Sequence, residues 1–280
     1  MNNYLIVSNK EKDPNNEVAG KIQLFLEEKG YSCTCETVTY DDVRKKCLEE
    51  CIDKGAECVL VLGGDGTLIQ VAGALSGKDI PLLGINLGTL GYLAEVERDQ
   101  IIATLLKLTE GEYEIENRMM LTAETKGTVK DALNDIVITR YGDLKIVKYR
   151  IYVNDRYLAT YEADGIIVST PTGSTAYNLS AGGPIVEPSA SIIVITPICP
   201  HTLNSRAVVL SAEDRICIEV CESKYHREYE AYVSCDGANA IKLNAGDRVN
   251  IRRADGATKL IKTSKEGFLE VLSRKLKTVG

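Results

Sequence analysis

Histidine occurs only twice in the 280 residues, and the nine cysteines never form a CxxC pair. Cys47 and Cys51, like Cys217 and Cys221, lie four apart, Cys33 and Cys35 two apart, and no disulfide framework emerges. This scarcity argues against a zinc centre of Cys and His and for reduced, mostly buried thiols in a cytoplasmic protein. No stretch approaches the roughly 18 apolar residues of a membrane helix, so no membrane partner is expected. The 33 basic side chains fall short of the 40 acidic ones, a formal charge of −7, and no Lys/Arg-rich block offsets it. A sequence-independent grip on nucleic acid is therefore not expected either. The first seven residues lack a basic segment and hold one short apolar run, which predicts a first β-strand rather than a signal peptide.

What is present is an ordinary globular mixture, 44% hydrophobic and 26% charged, long enough for one large domain or two ordinary ones. Over the first hundred residues strand and helix patterns alternate. Apolar runs at 4–7 and 58–62 and strand patterns at 31–38 and 82–86 are separated by helical spacings at 18–26, from Asp41-Asp42 onward and at 68–75, with another helix near 98–108. Such a βαβα order predicts an open, mostly parallel sheet with helices on both faces. After Gly111 the chain breaks into short β-branched runs with Asn154-Asp155 as a hairpin turn, the pattern of a second, β-rich domain. Helical spacing returns at 266–277, a terminal helix able to rejoin the first domain. The expected division is an α/β domain over 1–112 joined by 264–280, and a β-rich domain over 113–263.

Four segments could carry chemistry. Gly63-Gly64-Asp65-Gly66-Thr67 lies between a buried strand and a helix, where parallel sheets bind ligands. Glycine backbone N–H groups and a helix N-terminus can hold phosphate without basic side chains. The loop is neither a Walker A nor a GxGxxG loop, and the carboxylate of Asp65 suits proton acceptance from a hydroxyl or a contact to Mg²⁺. The second segment is the Gly-rich turn 84–93, with Asn86 and three glycines after a strand, which is equally a tight βα turn. Third, 164–184 runs from Asp164 into a cluster of hydroxyls including Thr175, Tyr177 and Ser180, suited to reading a base edge and a ribose. Fourth, Asn134-Asp135 opens a strand with an amide and a carboxylate able to chelate two ribose hydroxyls, although such a pair is more often a turn. A serine nucleophile finds no support, because no GxSxG surrounds Ser174 and neither His201 nor His226 has a supporting pattern.

Taken together, GGDGT at 63–67, GINLGTLGYLAEV at 84–96, ND at 134–135, DGIIVSTPTGSTAYNLSAGGP at 164–184 and PHTL at 200–203 followed by Arg206 resemble the NAD kinase family. GGDGT alone is shared with lipid kinases; its pairing with TPTGSTAY is specific. The resemblance implies a Rossmann-like first domain, a β-sandwich-like second domain with NAD between them, and transfer of the γ-phosphoryl of ATP to the 2′-hydroxyl of the adenosine ribose. It implies Asp65 as general base, a phosphate loop of Gly63, Gly64, Gly66 and Thr67, and NAD contacts from Asn86, Asn134, Asp135, Asp164, Thr175, Ala176, Tyr177, Asn178 and Ser180. Mg²⁺ is expected on the triphosphate, with no protein metal ligand assigned, and the enzymes are expected to be homo-oligomers, dimers or tetramers.

The chain departs from the family pattern in having Asp135 where many members carry Glu, Glu162 where some carry Arg, and Ala238 where some carry Gln. A lipid kinase sharing the loop, or a non-catalytic NAD(H)- or NADP(H)-binding regulator, stands as the alternative. The acidic composition argues against the first and the intact GGDGT against the second.

Overall fold

The computed structural model describes residues 1–39, 45–88, 91–142, 146–202, 205–222, 230–264 and 266–278. Asp41, Asp42, Thr89, Leu90, Leu203 and His226 of the sequence analysis lie outside them. The chain forms two compact units, Met1–Asn117 with Thr258–Gly280, and Arg118–Ala257.

The first unit alternates β1 (Asn3–Asn9), α1 (Glu17–Glu28), β2 (Ser32–Val38), α2 (Lys45–Asp53), β3 (Cys58–Gly63), α3 (Asp65–Ala74), β4 (Pro81–Asn86) and α4 (Ile101–Glu110). The strands run parallel in the order β2-β1-β3-β4. Their apolar runs are continuous because both faces are covered: Tyr4 and Ile6 are fully buried, and so are Leu5 and Val7 of opposite parity. Ala19, Ile22 and Leu26 of α1 and Ile101, Leu105 and Leu108 of α4 share a core with Tyr4, Ile6, Leu60 and Leu62. On the other side α3 packs against β3 and β4, and α2 against α3. The strand order reverses between β1 and β3, which places a ligand-accepting crevice at the carboxyl ends of those two strands. Asn9 closes it, its Nδ2 donating to Thr67 Oγ1 at 2.9 Å.

Among the described residues the second unit is built of β-strands, with a 3-10 turn at Thr172–Thr175 and one short α-helix. In chain order it contains β5 (Glu114–Thr125), β6 (Thr128–Ala132), β7 (Asp135–Arg140), β8 (Val147–Val153), β9 (Arg156–Ala163), β10 (Gly165–Ser169), α5 (Tyr177–Ser180), β11 (Ile192–Ile198), β12 (Val208–Ser211), β13 (Ile216–Val220), β14 (Ala231–Cys235), β15 (Ala238–Leu243) and β16 (Arg248–Lys262). One antiparallel sheet has the order β12-β11-β10-β7-β14-β15. The other contains the antiparallel run β16-β13-β8-β9 together with β5 and β6. Ile136, Ile138, Ile166 and Val168 from the first sheet and Tyr149, Ile151, Ile216 and Ile218 from the second form one core, a sandwich. Asn154 and Asp155, at φ 49° and 62°, make the tight β8–β9 turn that the sequence predicts. The chain enters this unit within β5 and leaves it within β16, whose far end pairs parallel with β4. The terminal helix α6 (Phe268–Thr278) belongs to the first unit.

The entry into α1 is held from a distance. Asn16 at the N-cap makes no capping hydrogen bond. The buried Asp13 carboxylate instead accepts the N–H of Val18 at 3.1 Å and of Ala19 at 3.0 Å, with the Ser8 hydroxyl at 3.4 Å. Asp13→Ala strands these donors and is expected to cost about 1–3 kcal/mol. Urea unfolding should show a lower midpoint at unchanged slope, with Asp13→Asn losing less.

Candidate active site

At the carboxyl edge of the parallel sheet the chain turns from β3 into α3 through Gly64, and Thr67 and Leu68 donate back to the Gly64 carbonyl at 3.0 and 3.1 Å. A helix start leaves its first N–H groups without intrahelical carbonyls, the donor set a phosphate needs. The half-buried Asp65 opens α3, and its carboxylate is held by a second loop. Tyr92 N–H donates to Oδ2 at 2.6 Å, and Leu93 and Ala94 donate to Oδ1 at 3.1 and 3.0 Å. This close approach requires glycine at 91, since a Cβ there would collide with the Asp65 carboxylate. An ionised carboxylate offers roughly four acceptor positions, so three N–H donors leave about one for an incoming group.

Asn86 is buried and turns its amide on its own loop. Its Oδ1 accepts Gly88 N–H at 3.0 Å and its Nδ2 donates to the Gly88 carbonyl at 3.2 Å. The side chain thus fixes the turn after β4. Thr67 likewise directs its hydroxyl to Asn9. Gly63, Gly64, Asp65, Gly66 and Thr67 are contiguous here, and Asn86 follows β4, the neighbour of β3.

In the second unit, the start of β7 lies beside the end of β10, with Asp135 opposite Ser169, and beside the end of β14, with Ile136 opposite Cys235. This sheet edge gathers Asn134, Asp135 and the 170–184 loop. Thr170 ties them together, its N–H donating to the Asn134 carbonyl at 2.9 Å and its hydroxyl to the Leu133 carbonyl at 2.6 Å. Gly173 lies against the same stretch, where a Cβ would collide with the Asn134 carbonyl. Asn134 Oδ1 is buried with no hydrogen-bond partner among the described residues. An orphaned buried acceptor points to an absent donor.

Asn178 is fully buried and all its polar atoms are engaged within the fold. Its Nδ2 donates to the carbonyls of Ser174 and Pro184 at 3.0 Å each, and its Oδ1 accepts the Thr196 hydroxyl at 2.6 Å. Thr175 and Ala176 are half-buried, while Tyr177 and Ser180 stand exposed. Asp164, after β9, pairs with Arg140 Nε at 3.0 Å. Glu162 pairs with Lys148 at 2.6 Å on the surface.

One residue of this edge escaped the sequence reading. Asp236, at φ 50°, accepts the N–H groups of Leu133 at 2.7 Å, Asn134 at 2.8 Å and Asp135 at 3.1 Å. It presents the Asn-Asp pair, yet about a hundred residues separate the partners and no local pattern announces the contact. Burial, assisted by the Asp236 charge, pushes the Asp135 carboxyl up to about 7. Burial likewise raises Asp236 to about 6 against its three N–H bonds.

The nine thiols are unpaired, and burial pushes Cys58 and Cys235 well above the usual thiol range. Among the described residues, Glu36, Cys47 and Cys51 bring one ligand atom each within 4.8 Å of one another. No described helix is long and apolar enough to cross a membrane.

Both raised carboxyls bind a proton more tightly folded than unfolded. Between about pH 4 and pH 7 the folded state therefore holds more protons, and stability falls as pH rises through that window. The slope reaches about 1.4 kcal/mol per pH unit for each extra proton. Chemical unfolding of wild type against Asp135→Asn at pH 5 and pH 8 should show the wild type losing ground to the variant at the higher pH.

The ATP-NAD kinase N-terminal domain model matches residues 5–113, and the ATP-NAD kinase C-terminal domain model matches 133–263. An NAD kinase of Lachnospira eligens is 42% identical, covering 99% of this chain and all of that protein. One of Lachnoclostridium phytofermentans is also 42% identical, over 98% and 99%. Among solved structures, a yeast NADH kinase complexed with NADH shares the fold with a TM-score of 0.87 at 22% identity, covering 98% of this chain and 87% of that one. An NAD kinase from Archaeoglobus fulgidus in complex with ATP does so at 0.79 and 23% identity, over 99% and 100%. With both family domains matched in order and relatives alike along nearly the whole length, the chain belongs to the NAD kinase family.

Proposed function

We propose that this kinase moves the γ-phosphoryl group of ATP to the 2′-hydroxyl of the adenosine ribose of NAD, with Asp65 as the base. The observation that carries this reading is the single acceptor position left on a carboxylate otherwise fixed by three backbone N–H groups, at the start of α3. A hydroxyl bound there is oriented by Asp65 and gives up its proton late, as the phosphoryl group leaves ADP through a loose transition state. Positioning supplies most of the acceleration, and proton acceptance about 10²–10⁴-fold.

The N–H groups of Gly64, Asp65 and Gly66 receive phosphate oxygens. Mg²⁺ would arrive with the triphosphate and keep its waters and phosphate oxygens, which leaves the open position of Asp65 to the hydroxyl. When bound, it offsets the repulsion between the triphosphate and the Asp65 carboxylate. Asn134 Oδ1, the buried acceptor without a donor, takes a ribose hydroxyl. Asp135, poised near neutrality, can donate or accept beside it. Thr175, Ala176, Tyr177 and Ser180 line the adenine and ribose, with Asn178 as the scaffold of their loop. Asp164 contacts the nicotinamide end while Arg140 fixes its other face. The enzyme works as a homo-oligomer, and its unpaired thiols suit the reducing cytoplasm, where it makes NADP.

The test is NADP formation from NAD, ATP and Mg²⁺. Asp65→Asn is expected to lose about 10²–10⁴-fold in kcat. Because an Asn Nδ2 would face the Tyr92 N–H donor to donor, a second variant separates the base from the anchor. Gly91→Ala keeps the carboxylate but displaces it, and should cost about 10²-fold. Asp65→Asn turning over like wild type would sink the assignment.

A further inference from the structure

Strand β2 is the edge of the parallel sheet, with β1 between it and β3. Alternation along the strand divides its side chains between the two layers of helices. Cys33 and Cys35 pack against the core that α1 and α4 share, so Glu36, of opposite parity, turns to the face that carries α2 and α3. Cys47 and Cys51, four residues apart on α2, share one face of that helix. The two elements bring the Glu36 carboxylate and both sulfurs together, each ligand atom within 4.8 Å of the others. The Cys47 thiol is hydrogen-bonded to Glu36, and the Cys51 thiol to Cys47. Cys51 is buried, while Glu36 and Cys47 are half-buried.

The scarcity of histidine argues against a centre of Cys and His, but a carboxylate can stand as the third ligand. Two sulfurs and one oxygen are the donor set of a borderline-soft divalent cation rather than of calcium or magnesium, which take oxygen ligands. A tetrahedral zinc ion with bonds of about 2.0–2.3 Å holds its ligand atoms about 3.5–3.8 Å apart, so each pair has to close by little more than about 1 Å. Side-chain rotation covers that distance. We propose that Glu36, Cys47 and Cys51 bind one zinc ion, the carboxylate and two thiolates filling three positions and a water the fourth. The two thiol protons leave to solvent as the sulfurs bind, and no electron is transferred. The ion acts as a clasp between the edge strand and α2. With two thiolate ligands it is distinct from the Mg²⁺ that accompanies a triphosphate, and it does not depend on the reading of Asp65.

The test is zinc uptake by the full chain, reduced and metal-free, in a Cys199→Ser background that removes the exposed thiol. Competition with a chromophoric chelator should give one ion per chain with a dissociation constant below about 1 µM. A hundredfold excess over that constant should raise the melting temperature by about 5 °C or more. Co²⁺ as the probe should show a near-ultraviolet thiolate-to-metal charge-transfer band that Cys47→Ser/Cys51→Ser lacks. Glu36→Gln should weaken zinc binding at least about tenfold, and Glu36→Cys, which offers a third sulfur, should restore it. If the double serine variant folds poorly, the two Glu36 variants and the Co²⁺ band of the unsubstituted site carry the test. Less than one ion per chain at about 10 µM free zinc overturns the proposal. So does a folded Cys47→Ser/Cys51→Ser, or Glu36→Gln, that binds within threefold of the unsubstituted site. A Cys47–Cys51 disulfide formed in air, with no zinc uptake after its reduction, overturns it in favour of a redox pair.

Discussion

Three consecutive backbone N–H groups, of Tyr92, Leu93 and Ala94, converge on the carboxylate of Asp65, and the phosphate-loop region is organised around that contact. Hydrogen bonds to a charged group contribute about 1.5–3 kcal/mol each, so the set outweighs the cost of ordering an otherwise irregular turn. The contact ties the loop after β3 to the loop after β4 across the carboxyl edge of the sheet. It dictates Gly91, and it sets the ring of Tyr92 where α6 meets it. Most important, it fixes the direction of a carboxylate at the start of a helix whose first amides are open. A carboxylate aimed in this way needs no further side chain to hold its rotamer.

The second unit repeats the device with different parts. Asp236 accepts three consecutive N–H groups, of Leu133, Asn134 and Asp135, and so presents the pair that opens β7. The roles differ in one respect. In the proposed mechanism Asp65 is both anchor and reactive group, whereas Asp236 is anchor alone and leaves the ligand contacts to its neighbours. Bringing Asp236 near Asp135 places two carboxyl groups in a site withdrawn from water, and a shared tendency to hold a proton follows. A neutral carboxyl can donate as well as accept, a useful property where the partners are hydroxyls.

The parts of this arrangement that depend on neighbours in sequence were legible beforehand. The continuous apolar run at 58–62 announced a buried strand, Asn154-Asp155 announced a hairpin, and GGDGT announced a turn between that strand and a helix. Contacts made from outside the usual motif positions, or closed across long stretches of chain, were not. Asp13 replaces the N-cap of α1 from outside the usual position, and Asp236 reaches back about a hundred residues. Asn86 and Asn178 show the opposite difficulty. Their residue types suit ligand contact, but their amides are engaged in building the loops that carry other candidates. Residue type and motif place a side chain in a site region; only its hydrogen-bond partners say whether it faces the ligand or the fold.

The acidic composition sharpens this point. A chain of net charge −7 handling a triphosphate would oppose its own substrate if charge were averaged over the surface. At physiological salt, however, exposed charges more than about 8 Å away are largely screened. In the proposed mechanism a phosphate then meets the local set of helix-start amides and the Asp65 carboxylate, whose charge three N–H groups already engage. Backbone dipoles appear in no count of charged residues, although the 33 basic side chains do. The net charge thus bears on solubility and on nonspecific partners, while binding of the polyphosphate is decided within a few ångströms by groups that composition does not register.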